Sequence, residues 1–107
     1  MPSQPAVPDP TRAEIDASAG ALLLEFGSAG CGHCRAAQPL IAAALAAHTA
    51  LRHLKVEDGP GRPLGRSFRV KLWPTLVFLR NGVERARLVR PCSAQSIADA
   101  LAGLDTP

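Results

Sequence analysis

Ala21-Leu22-Leu23-Leu24-Glu25-Phe26, the short link Gly27 to Gly30, and then Cys31-Gly32-His33-Cys34 form the stretch that decides the fold. The first part is a mostly apolar run of strand length, as expected of a strand buried on both faces. Beyond the cysteines, Ala37, Leu40, Ile41, Ala44, Leu45 and His48 recur at helical spacing, which predicts an amphipathic helix from Cys34 to His48 lying against a sheet. Pro39 falls inside that helix and is expected to kink it, because proline removes one hydrogen bond and crowds the preceding turn. The paired cysteines therefore sit where a buried strand hands over to a helix.

Working outward, residues 2–10 contain four prolines, so residues 1–10 read as a flexible lead and residues 11–107 as one domain. Thr11 or Asp9 is placed to cap a helix of about two turns over Arg12 to Ala19. Leu51 to Glu57 reads as a strand, followed by the turn-rich Asp58-Gly59-Pro60-Gly61-Arg62-Pro63 and a helical segment near Leu64 to Phe68. Thr75 to Leu79 and Val83 to Val89 flank Asn81-Gly82, the dipeptide that favours a type I′ hairpin. Ser93 can cap a last helix, Ala94 to Leu101, with Ile97, Leu101 and Leu104 on one stripe. This order predicts an α/β fold with a mixed sheet flanked by helices.

Composition narrows the function classes. With 107 residues the chain has room for one modest core, and with 19 alanines and 4% aromatic residues that core is expected to be Leu, Ala and Val. The longest apolar run, Leu40 to Ala47, is far shorter than the roughly 18 residues of a membrane span. The first ten residues show neither a basic nor an apolar signal region, from which a cytoplasmic location is expected. Charge is uneven: residues 1–50 hold two basic against four acidic side chains, and residues 51–107 hold ten against five. The arginines are scattered among apolar positions without an aromatic platform, which argues against nucleic-acid binding.

Two cysteines three positions apart on the first helical turn can close a disulfide. Unpaired N–H groups and the positive end of the helix dipole favour a thiolate at Cys31, the species that disulfide exchange requires. A zinc site needs four ligands, and only Cys92, His48 and His53 are left to complete one. Haem attachment needs histidine directly after the second cysteine, where Arg35 stands.

Residues 21–104 resemble thioredoxin in the strand Leu22 to Phe26, in Cys31-Gly32-His33-Cys34, in Pro39, in Trp73-Pro74-Thr75 and in Arg80 before Asn81-Gly82. The resemblance implies a thioredoxin fold with a four- or five-stranded central sheet and cis-Pro74 beside the sulfurs. It implies Cys31 as the attacking thiol, Cys34 as the resolving thiol, and Gly32 and His33 as the rest of the active-site turn. Glu25 is implied as a buried acid of raised pKa that exchanges a proton with Cys34, with Lys55 nearby. Trp73, Pro74, Thr75 and Arg90 are implied to line the substrate groove, the Trp73 backbone pairing with an extended client.

The implied activity is dithiol–disulfide exchange on protein disulfides, with no metal or organic cofactor. The partners are client proteins and a thioredoxin reductase or another electron donor, and a monomer is expected. The alternative reading is a binding module that holds a client with little redox turnover. Charged His33 is expected to stabilise the Cys31 thiolate, and it resembles the histidine of disulfide isomerases. The chain departs from the family in several places. Gly30 replaces the usual tryptophan, so Trp73 is expected to stand in for that wall. Arg90 replaces the usual glycine and is expected to favour acidic substrates. The Pro-rich lead leaves no clear first strand. Cys92 has no family role and is expected to be a small buried hydrophobe.

Overall fold

The computed structural model describes residues 9–104, so all but Asp9 and Pro10 of the expected flexible lead lies outside the described residues. Eight elements follow in order: α1 (Arg12–Asp16), β1 (Ala21–Gly27), α2 (Gly32–Leu45), β2 (Arg52–Glu57), α3 (Pro63–Ser67), β3 (Thr75–Arg80), β4 (Val83–Val89) and α4 (Ala94–Leu104). The strands form a four-stranded sheet in the order β2-β1-β3-β4. β2 runs parallel to β1, whereas β1 with β3 and β3 with β4 are antiparallel. Four strands, the lower of the two expected numbers, make up the sheet of the described residues.

β1 is central, and its uniformly apolar sequence suits burial on both faces. Alternation sends Leu22, Leu24 and Phe26 to one side, where they pack with Ile15 of α1, Leu64 of α3, Phe68, Val77 and Leu79. Leu23 faces the other side with Ala37 and Ile41 of α2, Leu76, Phe78, and Ile97, Leu101 and Leu104 of α4. Glu25 shares that second face and, among the described residues, is the one buried carboxylate. Deleting a fully buried leucine such as Leu23 would cost about 2–5 kcal/mol.

The ends of the elements show where local chemistry outweighs periodicity. Thr11, not Asp9, caps α1: its hydroxyl accepts the Glu14 N–H at 3.1 Å while Glu14 Oε1 accepts the Thr11 N–H at 2.8 Å. The helix stops at Asp16, short of the expected Ala19. A Cβ on Gly82 would collide with the Asp16 main chain, so the hairpin turn packs directly against the end of α1. Asn81 and Gly82 have φ of 51° and 78°, as a type I′ turn requires. α2 begins at Gly32 and ends at Leu45, and His48 lies beyond it in a tight turn closed on the Leu45 carbonyl at 2.8 Å. Ser93 Oγ accepts the Ser96 N–H at 3.1 Å as α4 begins, and α4 continues to Leu104. No helix of the described residues is long and apolar enough to cross a membrane.

Candidate active site

The end of β1 aims the chain at the start of α2, with Cys31 as the N-cap residue. Its sulfur accepts the Cys34 N–H at 3.1 Å, a contact that satisfies one of the donors a helix start leaves open. Cys31 is half-buried and Cys34 is buried. Gly27 makes room for the second sulfur: a Cβ there would lie 2.8 Å from Cys34 Sγ. The two thiols are driven apart in acidity. A hydrogen bond from the Cys34 thiol holds Cys31 below its ordinary value; burial opposes, and the N–H groups of Cys34 and His33 and the Arg90 charge assist. Burial first, then the hydrogen bond with Cys31 and the negative charges of Cys31 and Glu25, push Cys34 up to about 11. The proton stays on the buried sulfur and the charge on the accessible one.

His33 contributes its main-chain N–H to favouring the Cys31 thiolate, and Arg90 contributes its positive charge. At a helix start the main-chain N–H groups point at the capping atom. The His33 side chain is exposed, as is Gly32.

Facing the sulfurs, the Trp73–Pro74 peptide bond is cis. The Trp73 carbonyl lies 3.9 Å from Cys31 Sγ and accepts Arg90 Nε at 2.9 Å. The Arg90 main chain also donates to the Pro74 carbonyl at 2.9 Å. Arg90 has φ of 51°, a left-handed conformation that favours glycine, and keeping a side chain there costs roughly 1 kcal/mol. At its other end Trp73 donates its indole Nε1–H to Asp58 Oδ2 at 2.8 Å. Thr75, expected to line the groove, is buried, and its hydroxyl donates to the Leu72 carbonyl at 2.6 Å, closing the cis-proline turn.

Glu25 is buried as expected, but its charge state differs. Burial pushes the carboxyl up, whereas hydrogen bonds from His53 and Gln38 and the charges of His53 and Lys55 together outweigh it and hold the group below the usual carboxylate value. Its Oε1 lies 2.7 Å from His53 Nε2, and its Oε2 accepts Gln38 Nε2 at 2.7 Å. Gln38 also donates to the Cys34 carbonyl at 3.0 Å and accepts from Lys55 Nζ at 2.9 Å, so Lys55 reaches the acid through an amide. A cleft of about 350 Å³ opens to Glu25, Cys34, Gln38 and Lys55 together.

His53, Gln38 and Asp58 are the site residues that the sequence reading did not assign. A signal for His53 existed in the period of two: β2 pairs His53 with Leu23 and Lys55 with Glu25, so both flank the acid on one face. Gln38 lies one helical turn beyond Cys34. Cys92 is exposed, not buried, because it follows Pro91 in the link before α4 and not within an element.

Comparison with known proteins adds to this geometry. The family model described as Thioredoxin matches residues 7–103. The chain is 55% identical to thioredoxin 2 from Pseudomonas aeruginosa PAO1, solved in its reduced form, with a TM-score of 0.82 over 97% of this chain and 96% of that one. It is 41% identical over 85 residues to human protein disulfide-isomerase A2, covering 74% of this chain but only 16% of that protein. It is 31% identical over 61 residues to thioredoxin-1 of Caenorhabditis elegans, covering 57% of this chain and 53% of that one.

Proposed function

The chain belongs to the thioredoxin family, and on that premise we propose that it exchanges a Cys31/Cys34 dithiol with protein disulfides. The observation that carries the reading is the division of labour between the sulfurs: an accessible Cys31 favoured as thiolate and a buried Cys34 that keeps its proton. The Cys31 thiolate attacks one sulfur of a client disulfide; the client S–S bond breaks, and the departing sulfur leaves with the electron pair and takes a proton from solvent. Cys34 then gives up its proton and attacks Cys31 Sγ. The mixed disulfide breaks, the Cys31–Cys34 disulfide forms, and the client leaves with two reduced sulfurs.

Glu25 suits the role of proton acceptor for Cys34. It is ionised, and it opens to the same cleft as that thiol. Trp73 and Pro74 supply the edge against which an extended client docks, and Arg90 sets a positive charge beside it. A reductase of the thioredoxin reductase type or another electron donor restores the dithiol. The chemistry needs no metal or organic cofactor. A monomeric domain from Thr11 onward, working in the reducing cytoplasm, fits a dithiol kept ready for attack.

Insulin reduction by dithiothreitol tests the reading. The wild-type protein is expected to speed precipitation of the insulin B chain and Cys31→Ser to have no effect. A wild type no faster than Cys31→Ser would leave a client-binding module without redox turnover.

A further inference from the structure

Asp58 follows the last residue of β2, and its main-chain N–H donates to the Gly27 carbonyl at 2.7 Å, tying it to the end of β1 just before the cysteine loop. α3 closes over its carboxylate so tightly that a Cβ on Gly65 would collide with it. The carboxylate thus has a fixed place, and from there it accepts the Trp73 indole N–H at 2.8 Å. A carboxylate acceptor makes this bond stronger than one between neutral groups.

Trp73 is held at both ends. Asp58 fixes the ring, while Arg90 Nε at 2.9 Å fixes the carbonyl that lies 3.9 Å from Cys31 Sγ. On the cysteine side Gly30 contributes no side chain, and a Cβ added there would meet nothing within 4 Å. The single tryptophan of the chain is therefore the aromatic surface available at this groove, and it needs an anchor to act as a wall. A free indole would turn about its side-chain bonds, and a client would have to order it on docking, which weakens binding.

We propose that Asp58 is a positioning residue for client docking, holding the Trp73 indole as a preset wall of the groove beside Cys31. The proposal rests on the dithiol-exchange reading above and extends it to a residue that touches neither sulfur. Its effect falls on binding and not on the exchange step, because the ring orients the client while the sulfurs do the chemistry.

The test is a double-mutant cycle on the full chain, with a peptide disulfide as substrate and wild type, Asp58→Ala, Trp73→Phe and the double variant compared. Asp58→Ala is expected to raise KM about five- to tenfold, the fold-change matching about 1 kcal/mol of ordering, with kcat changed less than twofold. Trp73→Phe keeps a ring but has no N–H, so adding Asp58→Ala to it is expected to change KM no further. Asp58→Asn keeps an oxygen acceptor and is expected to retain most of the wild-type KM, which covers the case in which the alanine variant does not fold. Because Trp73 is the only tryptophan, its indole N–H resonance reports the bond directly and is expected to move upfield in Asp58→Ala. An equal rise in KM with phenylalanine at position 73, or an indole resonance unmoved in Asp58→Ala, would overturn the proposal. Failure of the wild type to reduce the peptide at all would instead count against the dithiol-exchange reading.

Discussion

Glu25 Oε1 lies 2.7 Å from His53 Nε2, and this contact turns a buried acid into a buried charge. β1 and β2 run parallel with Leu23 opposite His53 and Glu25 opposite Lys55, so the sheet register itself delivers both side chains to the acid. Burial by itself pushes the carboxyl above its ordinary value; the hydrogen bonds from His53 and Gln38 and the nearby charges reverse that direction. With them it is ionised, and its negative charge in turn helps to keep the proton on Cys34.

Glu25→Gln is expected to slow turnover by up to about 100-fold, the low end for loss of a positioned base, because the cleft admits solvent that can partly take over. The same substitution has a pH signature. Glu25 has a folded pKa below its ordinary value, so its contribution to stability is present above that ordinary value and is lost as pH falls through the folded one. Urea midpoints compared at neutral pH and near pH 3 are expected to show a smaller acid loss in Glu25→Gln than in wild type. Equal losses would detach the acid from the network described here.

His53→Ala removes the first of the lowering contacts and leaves Gln38 and, through it, Lys55. The Glu25 carboxyl is expected to titrate at higher pH in this variant. Carbon-13 NMR of the glutamate carboxyls would resolve the change, and a Glu25 resonance with an unaltered midpoint would show that Gln38 alone sustains the charge.

Much of the fold was legible because its signals are local. The apolar run of β1, the Cys-x-x-Cys at a helix start and the Asn81-Gly82 turn each depend on residues adjacent in sequence. What escaped depends on register and packing. His53 as the partner of Glu25 follows from which β2 residue stands opposite which β1 residue, and that register is fixed by tertiary structure. The sign of the Glu25 shift depends on three side chains from two other elements, α2 and β2, so burial could be foreseen and charge could not. Asp58 reaches Trp73 across 15 positions, and Thr75 turns out to serve its own turn. In each case the residue type was visible and the partner was not.

His33→Ala and His33→Pro separate the two ways in which this residue could act. Alanine keeps the main-chain N–H that favours the Cys31 thiolate, and proline removes it while remaining tolerated in a first helical turn. Thiolate absorbance near 240 nm is expected to give Cys31 titrations that agree for wild type and His33→Ala and lie higher for His33→Pro. If alanine alone raised the midpoint as far as proline does, the imidazole would carry the effect.

Cys34→Ser is expected to trap mixed disulfides, since Cys31 can still attack but nothing resolves the product. The exposed Cys92 could capture clients by itself, so the comparison belongs in a Cys92→Ser background. There Cys34→Ser is expected to retain client proteins that a reductant releases, and Cys31→Ser to retain none. In the same background iodoacetamide at neutral pH is expected to modify Cys31 well before Cys34, whose thiol is pushed up to about 11. Equal capture by both serine variants would reverse or abolish the assigned roles.

Arg90→Gly brings two opposed effects on stability together with a change in the site. Glycine relieves the left-handed backbone at φ of 51°, a gain of roughly 1 kcal/mol. It also gives up the guanidinium bond to the Trp73 carbonyl, a loss of similar size for one hydrogen bond at an exposed side chain. Stability is therefore expected to change by less than about 1 kcal/mol, so any change in activity reads on the site and not on folding. Loss of the cation withdraws one of the charges that favour the Cys31 thiolate, so the Cys31 titration is expected to move up. Because a stabilised thiolate stabilises the dithiol form, removing that support is expected to make the protein a stronger reductant at neutral pH. With peptide disulfides carrying Asp or Lys beside the cysteine, the wild-type preference for the acidic peptide is expected to shrink toward equality in Arg90→Gly and to persist in Arg90→Lys. A preference unchanged in the glycine variant would show that Arg90 serves the Trp73 carbonyl alone and leaves client choice to other residues.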